Sequence, residues 1–259
     1  GPVIASPINE PEDFDNLPFH EAPFKLNYVY HAVQSLRDAL GNRLPLIGFS
    51  GSPWSLACYM ISGRNTQNFQ KAKRFSFAHP QATRSLLEKL SLLISDYLIQ
   101  QAHHGADVLF LIDTWGGILP FSHYEHFALD PLKIIHSQLR QQGIKQPLLF
   151  YSKGFSSLHP NILKKQSLCQ GLAIDWTVDL ANTYRELTPQ YTIQGNLDPQ
   201  VLLAGPLATQ QHTWQMLKNI HPKKHYIASL GHGILPNTPL ESIHAFIDTV
   251  HSFNHANEH

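Results

Sequence analysis

The stretch Asp107-Val108-Leu109-Phe110-Leu111-Ile112-Asp113-Thr114-Trp115-Gly116-Gly117 decides the fold. Its unbroken apolar run is too short for an independent helix. It is closed by two polar residues and a pair of glycines. Such a run is a strand buried on both faces, and strands of that kind belong to parallel sheets covered by helices. Upstream, Gln81 to Gln101 carries Leu86, Leu87, Leu90, Leu93, Ile94 and Tyr97 at helical spacing. Downstream, the spacing predicts a helix within Tyr124 to Gln141.

The same alternation extends both ways. Leu44–Phe49 reads as the first strand, Pro147–Tyr151 as the third, Leu172–Trp176 as the fourth, Tyr191–Gln194 as the fifth and His225–Leu230 as the sixth. A last helix is expected over Pro239–Phe253. Strands alternating with helices give an α/β fold, either an open doubly wound sheet or a closed barrel. No G-x-G-x-x-G follows the first strand. Polar or glycine-rich residues close almost every strand, which is how a barrel assembles its site from C-terminal strand ends. The reading is a (β/α)8 TIM barrel with six of eight βα units recognisable. The proline-rich start, with Pro7, Pro11, Pro18 and Pro23 among the first 25 residues, reads as loop or extended chain with room for one short strand at Val3-Ile4. No linker or repeat divides the chain, so residues 1–259 read as a single domain.

Composition narrows the function. Of 259 residues, 42% are hydrophobic and 15% charged, and Lys+Arg and Asp+Glu are both 19. With no excess of clustered cations, nucleic acid is not an expected partner. Cys58 and Cys169, the two cysteines, exclude a disulfide framework and a four-cysteine zinc site. No run approaches the ~18 apolar residues of a membrane span, so no membrane partner is expected. A soluble protein of a reducing compartment, the cytoplasm, is expected. The 17 histidines are scattered, without an H-E-x-x-H pattern, and read mainly as polar surface.

The strand ends hold the candidate chemistry. Ser52-Pro53 is a helix start after the first strand, and Tyr59 follows one to two turns on. Tyr59 either packs or reaches a pocket. Asp113 caps the next turn or faces a ligand, and Thr114 sits beside two glycines that permit close approach. Lys153 ends the third strand; Asp175 and Trp176 end the fourth. Asp198-Pro199 reads as a helix cap. His232, between Gly231 and Gly233, is held by permissive backbone and not on a helix face, which suits a ligand contact or proton donor. A cofactor-free lyase, an isomerase and a hydrolase all fit these residues.

Five peptides in order carry a resemblance: Pro45–Trp54 (PLIGFSGSPW), Phe110–Gly117 (FLIDTWGG), Ile174–Thr177 (IDWT), Gln194–Pro199 (QGNLDP) and Leu230–Ile234 (LGHGI). Together they resemble the uroporphyrinogen decarboxylase family, over essentially the whole chain to about Phe253. The resemblance implies a single-domain (β/α)8 barrel and a homodimer. It implies a carboxy-lyase that uses no metal or organic cofactor. Its substrate is uroporphyrinogen, a tetrapyrrole that loses the carboxyl groups of four acetate side chains to give coproporphyrinogen. It implies substrate contacts at Tyr59, Thr114 and His232. A carbanion left by decarboxylation needs an electron sink, and a pyrrole ring protonated on its α-carbon supplies one.

The chain also departs from the family. Members carry an arginine-bearing first strand end and a second strand ending in the central aspartate. Neither motif occurs here, so no catalytic residue is assigned. The seven arginines, Arg37, Arg43, Arg64, Arg74, Arg84, Arg140 and Arg185, all lie away from the strand ends. The expectation is a chain lacking two N-terminal βα units, inactive by itself, with exposed sheet edges. Two other readings are a zinc-dependent corrinoid or thiol methyltransferase of the same superfamily and a non-catalytic barrel fragment. The first needs His and Cys ligands at strand ends. Cys58 and Cys169 are expected in helices instead, and no His-x-Cys occurs.

Overall fold

The strand predicted at Asp107–Ile112 runs over Val108–Asp113 and lies between two parallel neighbours. The computed structural model describes residues 3–154, 167–218, 220 and 224–255. Gly1 and Pro2, part of the proline-rich start, lie outside the described residues. Two compact units divide the chain, Gly1–Lys153 and Gly154–His259.

In the first unit, β1 (Ile47–Gly51), β2 (Val108–Asp113) and β3 (Leu148–Ser152) are parallel and in sequence order. The helices are α1 (Asn27–Leu40), α2 (Pro53–Ser62), α3 (Gln70–Ala78), α4 (Pro80–His103) and α5 (Asp130–Gln141). Leu86, Leu87, Leu90 and Ile94 are buried on α4, as the spacing predicted. A short helical turn over Phe121–Tyr124 and a π turn over Glu125–Leu129 lead into α5.

Helix α1 was not anticipated. It buries only Tyr30 and Val33, too sparse a stripe to be read as a helix. What holds it is tertiary: Tyr30 stacks on His104 at 5.6 Å and meets Tyr97 at 5.9 Å. The Arg37 guanidinium pairs with Asp107 and donates to the Gly105 carbonyl at 2.9 Å. Val3 forms one antiparallel bridge with Arg64, so the possible strand at Val3-Ile4 shrinks to a single pair.

Among the described strands β1 is paired on one side alone, by β2, as the expected exposed edge requires. The Gln101 side chain accepts from the Phe49 N–H at 3.0 Å and donates to the Phe49 carbonyl at 3.1 Å. A buried primary amide thus satisfies the main chain of Phe49, one residue of that edge.

In the second unit, β4 (Gly171–Ala173), β5 (Thr192–Leu197) and β6 (Tyr226–Leu230) are parallel and again in sequence order. Its main helices are α6 (Leu180–Leu187), α7 (Pro206–Lys218) and α8 (Leu240–His255). Strand β4 is shorter than expected because Asp175 and Trp176 turn away into the following loop. Cys169 is not helical, as had been expected. It is buried in extended chain entering β4, because the apolar run Leu168-Cys169 leads straight into a covered strand.

Candidate functional site

The end of β2 is organised around a buried carboxylate. Asp113 has no solvent exposure. Its Oδ1 accepts from the Ser52 hydroxyl at 2.7 Å and the Ser55 hydroxyl at 3.0 Å. Its Oδ2 accepts from the Ser152 hydroxyl at 3.3 Å. Burial pushes the Asp113 carboxyl above its ordinary range, and the three hydroxyls with the Trp115 amide pull in the opposite direction. Asp113 is therefore neither a simple cap nor a pocket carboxylate. It ties the first turn of α2 and the end of β3 to the end of β2.

The helix start at Ser52-Pro53 is confirmed. Ser52 Oγ accepts from the Ser55 N–H at 3.1 Å while donating to Asp113, so one hydroxyl serves both cap and cluster. Gly116 is required here: a Cβ would fall well inside contact with Asp113 Oδ2 and Ser152 Oγ.

This cluster fixes the peptide after Asp113. The Trp115 N–H donates to Ser55 Oγ at 3.3 Å, and the Trp115 carbonyl accepts from Trp54 Nε1 at 3.0 Å. Thr114 sits between the two anchors. It is half-buried, and its hydroxyl makes no hydrogen bond among the described residues. Tyr59 is half-buried and meets Phe69 edge-on at 5.2 Å; Phe69 meets Trp115 edge-on at 4.6 Å. An aromatic chain thus links Tyr59 to the neighbour of Thr114. Lys153 latches β3 to the same loop through its main chain, donating to the Asp113 carbonyl at 3.1 Å and accepting from the Gly117 N–H at 3.0 Å.

The strand ends of the second unit are held differently. Asp175 is buried and accepts from the Gly154 N–H at 2.7 Å, the Thr177 N–H at 2.8 Å and the Thr177 hydroxyl. The Asn196 amide donates to the carbonyls of Asp175 and Val178, both at 2.9 Å. Asp198 accepts from the Gln200 N–H at 2.9 Å, the capping role read from Asp198-Pro199. Trp176, Asp179, Asn196, Asp198 and His212 line a cavity of about 280 Å³. His232 is exposed and lies over Trp176, ring centroids 6.4 Å apart and planes at 19°. Gly231 permits this approach, since a Cβ there would sit 2.6 Å from the Trp176 nitrogen.

Of the expected substrate contacts, Tyr59 and Thr114 are joined in the first unit and His232 stands in the second. The sequence reading missed Ser55, Ser152 and the bridging role of Asn196. Ser55 was findable, since Ser52 and Ser55 are one helical turn apart; Ser152 was not.

Among the described residues, no group of three or more His, Cys, Asp or Glu side chains is gathered to hold a metal ion. Burial pushes both thiols up, Cys58 well above the usual range with help from the Asp113 charge and Cys169 to about 12. Among the described residues, no helix is long and apolar enough to cross a membrane.

Parallel strands, alternating helices and polar C-terminal strand ends define a protein of the α/β class, with the repeating strand–helix order that barrels share. A solved methyltransferase from Methanosarcina mazei shares this fold, with a TM-score of 0.72 at 17% identity over 89% of this chain and 65% of that one. A family model described as uroporphyrinogen decarboxylase (URO-D) matches residues 1–253. A uroporphyrinogen decarboxylase from Coxiella burnetii is 37% identical over 260 residues, covering 100% of this chain and 72% of the relative. One from Francisella tularensis is 36% identical over 257 residues, covering 98% and 73%. The chain belongs to the uroporphyrinogen decarboxylase family, a family of carboxy-lyases built on the TIM barrel.

Proposed function

We propose that the protein removes the carboxyl groups of the four acetate side chains of uroporphyrinogen, giving coproporphyrinogen. The observation that carries the reading is the family match across residues 1–253 together with 36–37% identity to named decarboxylases. The site chemistry is compatible with it. Protonation of a pyrrole α-carbon makes the ring an electron sink. The electrons of the bond to the departing carboxyl flow into the ring, carbon dioxide leaves, the exocyclic methylene takes a proton to become methyl, and the α-carbon gives up the proton it had gained, restoring the pyrrole.

In this reading the Thr114 hydroxyl donates to a substrate carboxylate or pyrrole edge. Tyr59 borders the same loop through Phe69 and Trp115. His232, exposed over Trp176, supplies a cationic or hydrogen-bonding contact. No metal or organic cofactor is required, which zinc analysis of tag-free protein checks: well under one equivalent is expected. We read the protein as a cytoplasmic homodimer, and residues 1–259 as belonging to one barrel domain.

The family's arginine motif has no counterpart here, and Asp113 is committed to three serines. Residues 1–259 alone are therefore expected not to turn substrate over, because burying substrate carboxylates without cations costs several kcal/mol each. The experiment is anaerobic conversion of uroporphyrinogen, with products separated by carboxyl number. Two proteins are compared: this chain, and this chain substituted for the matched region of the Coxiella burnetii relative. The composite protein is expected to form coproporphyrinogen and the chain alone is not. A folded composite that returns substrate unchanged overturns the reading. Turnover by the chain alone would place the catalytic groups within it and overturn the assignment of the site.

A further inference from the structure

The charges of the first unit are unevenly distributed. No Asp or Glu occurs between Asp38 and Glu88, yet Arg43, Arg64, Lys71, Lys73, Arg74 and Arg84 all do. This stretch includes the end of β1, Tyr59 and α3. Three of its cations stand on α3, and they are not equivalent. The Lys71 ammonium is used internally, donating to the Ile8 carbonyl at 2.9 Å and to Asn9 Oδ1 at 2.7 Å. The Lys73 ammonium and the Arg74 guanidinium make no hydrogen bond or ion pair among the described residues. With Asn68, Gln70 and Phe77 they line an open groove of about 740 Å³. Phe77 is 51% exposed, with one edge against the His123 ring at 4.8 Å. Glu10 comes near only in the adjoining smaller cavity that Arg74 also borders, and it forms no ion pair with Arg74.

The helix that carries the groove is anchored to the loop after β2. Phe69, the residue before α3, is wholly buried between Tyr59 and Trp115. That contact fixes the start of α3 to the loop carrying Thr114. The groove is then the outer rim of the same end of the first unit.

We propose that the groove formed by Lys73, Arg74 and Phe77 on α3 is a rim site for the peripheral carboxylates of a tetrapyrrole. Two unpaired cations meet the carboxylates, and the exposed phenyl face meets the pyrrole edge. The inference rests on the decarboxylase reading and deepens it. The strand ends themselves offer few cations to a substrate with many carboxylates, and α3 supplies two more nearby.

The test is fluorescence titration of the full chain with uroporphyrin, the stable oxidised ring carrying all the substrate carboxylates, and with coproporphyrin, which lacks the acetates. The double variant K73Q/R74Q is compared with wild type, with the exposed Lys89→Gln on α4 as control, and circular dichroism confirms folding. Uroporphyrin Kd is expected to rise at least fivefold in the double variant and to stay unchanged in the control. The difference from wild type should vanish near 1 M salt, where screening acts within ~3 Å. A weaker effect on coproporphyrin would assign the groove to acetates, an equal effect to propionates; either supports the site. Wild-type affinity in the folded double variant overturns it and leaves the decarboxylase reading standing. Absence of uroporphyrin binding by the wild-type chain also overturns the rim site, while the decarboxylase reading stands or falls separately on turnover by the composite protein.

Discussion

The two buried aspartates at strand ends, Asp113 in the first unit and Asp175 in the second, solve the same problem with different materials. Asp113 is met by three side-chain hydroxyls from β3 and from the first turn of α2. Among the described residues, Asp175 is met by the main-chain amides of Gly154 and Thr177 and by the Thr177 hydroxyl. Hydroxyls can be deleted one at a time by substitution, but amides cannot. The first unit's strand end should therefore be sensitive to side-chain truncation. The second should be sensitive to added atoms that push its backbone apart.

Asp113→Leu gives the largest expected loss, about 3 kcal/mol, because three buried hydroxyls lose their shared acceptor. A urea midpoint close to wild type would mean that the serines satisfy one another. Gly231→Ala is next at about 2 kcal/mol, since its Cβ would meet the Trp176 nitrogen at 2.6 Å. Gly233→Ala is the matched control, with nothing within 4 Å of the added atom and an expected change within about 0.5 kcal/mol. Equal effects at the two glycines would break the contrast. Ser152→Ala should cost about 1 kcal/mol, as it removes the longest of the three bonds to Asp113.

At neutral pH a small effect, within about 1 kcal/mol, is expected for Asp113→Asn, which keeps the shape and an acceptor. Its signature is pH dependence. Burial raises the Asp113 carboxyl in the folded state. Between the unfolded value near 4 and the raised folded value, the folded protein holds one more proton than the unfolded chain. Stability from this group is thus fully present below pH ~4 and is lost as pH rises through that window. Melting temperatures of wild type relative to Asp113→Asn should fall with rising pH. A parallel pair of curves would mean that Asp113 titrates alike in both states.

The sequence exposed the alternation of buried strands and helices because periodicity is local. Val108–Asp113 and α4 landed within a residue or two of their expected bounds. The Ser52-Pro53 start was equally legible, since capping depends on neighbours in the chain. What escaped was long-range. Helix α1 depends on Tyr30 meeting His104, and the edge of β1 depends on Gln101 reaching Phe49. The Asp113 cluster needed Ser152, 39 residues away, to be brought alongside. Tyr59, Thr114 and His232 drew their expected roles from family likeness, and position alone left each of them open.

Residues that build the strand ends are distinct from residues that meet substrate, and kinetics on His232→Ala test that division most directly. The measurement is kcat/KM for uroporphyrinogen in the composite active protein, beside Ser152→Ala and with melting temperatures in parallel. For His232→Ala the expected loss is roughly 1–3 kcal/mol of transition-state stabilisation, about 5- to 150-fold, at unchanged melting temperature. Ser152→Ala should melt earlier and keep its kcat/KM per folded molecule. Wild-type kinetics in a folded His232→Ala protein would contradict the account.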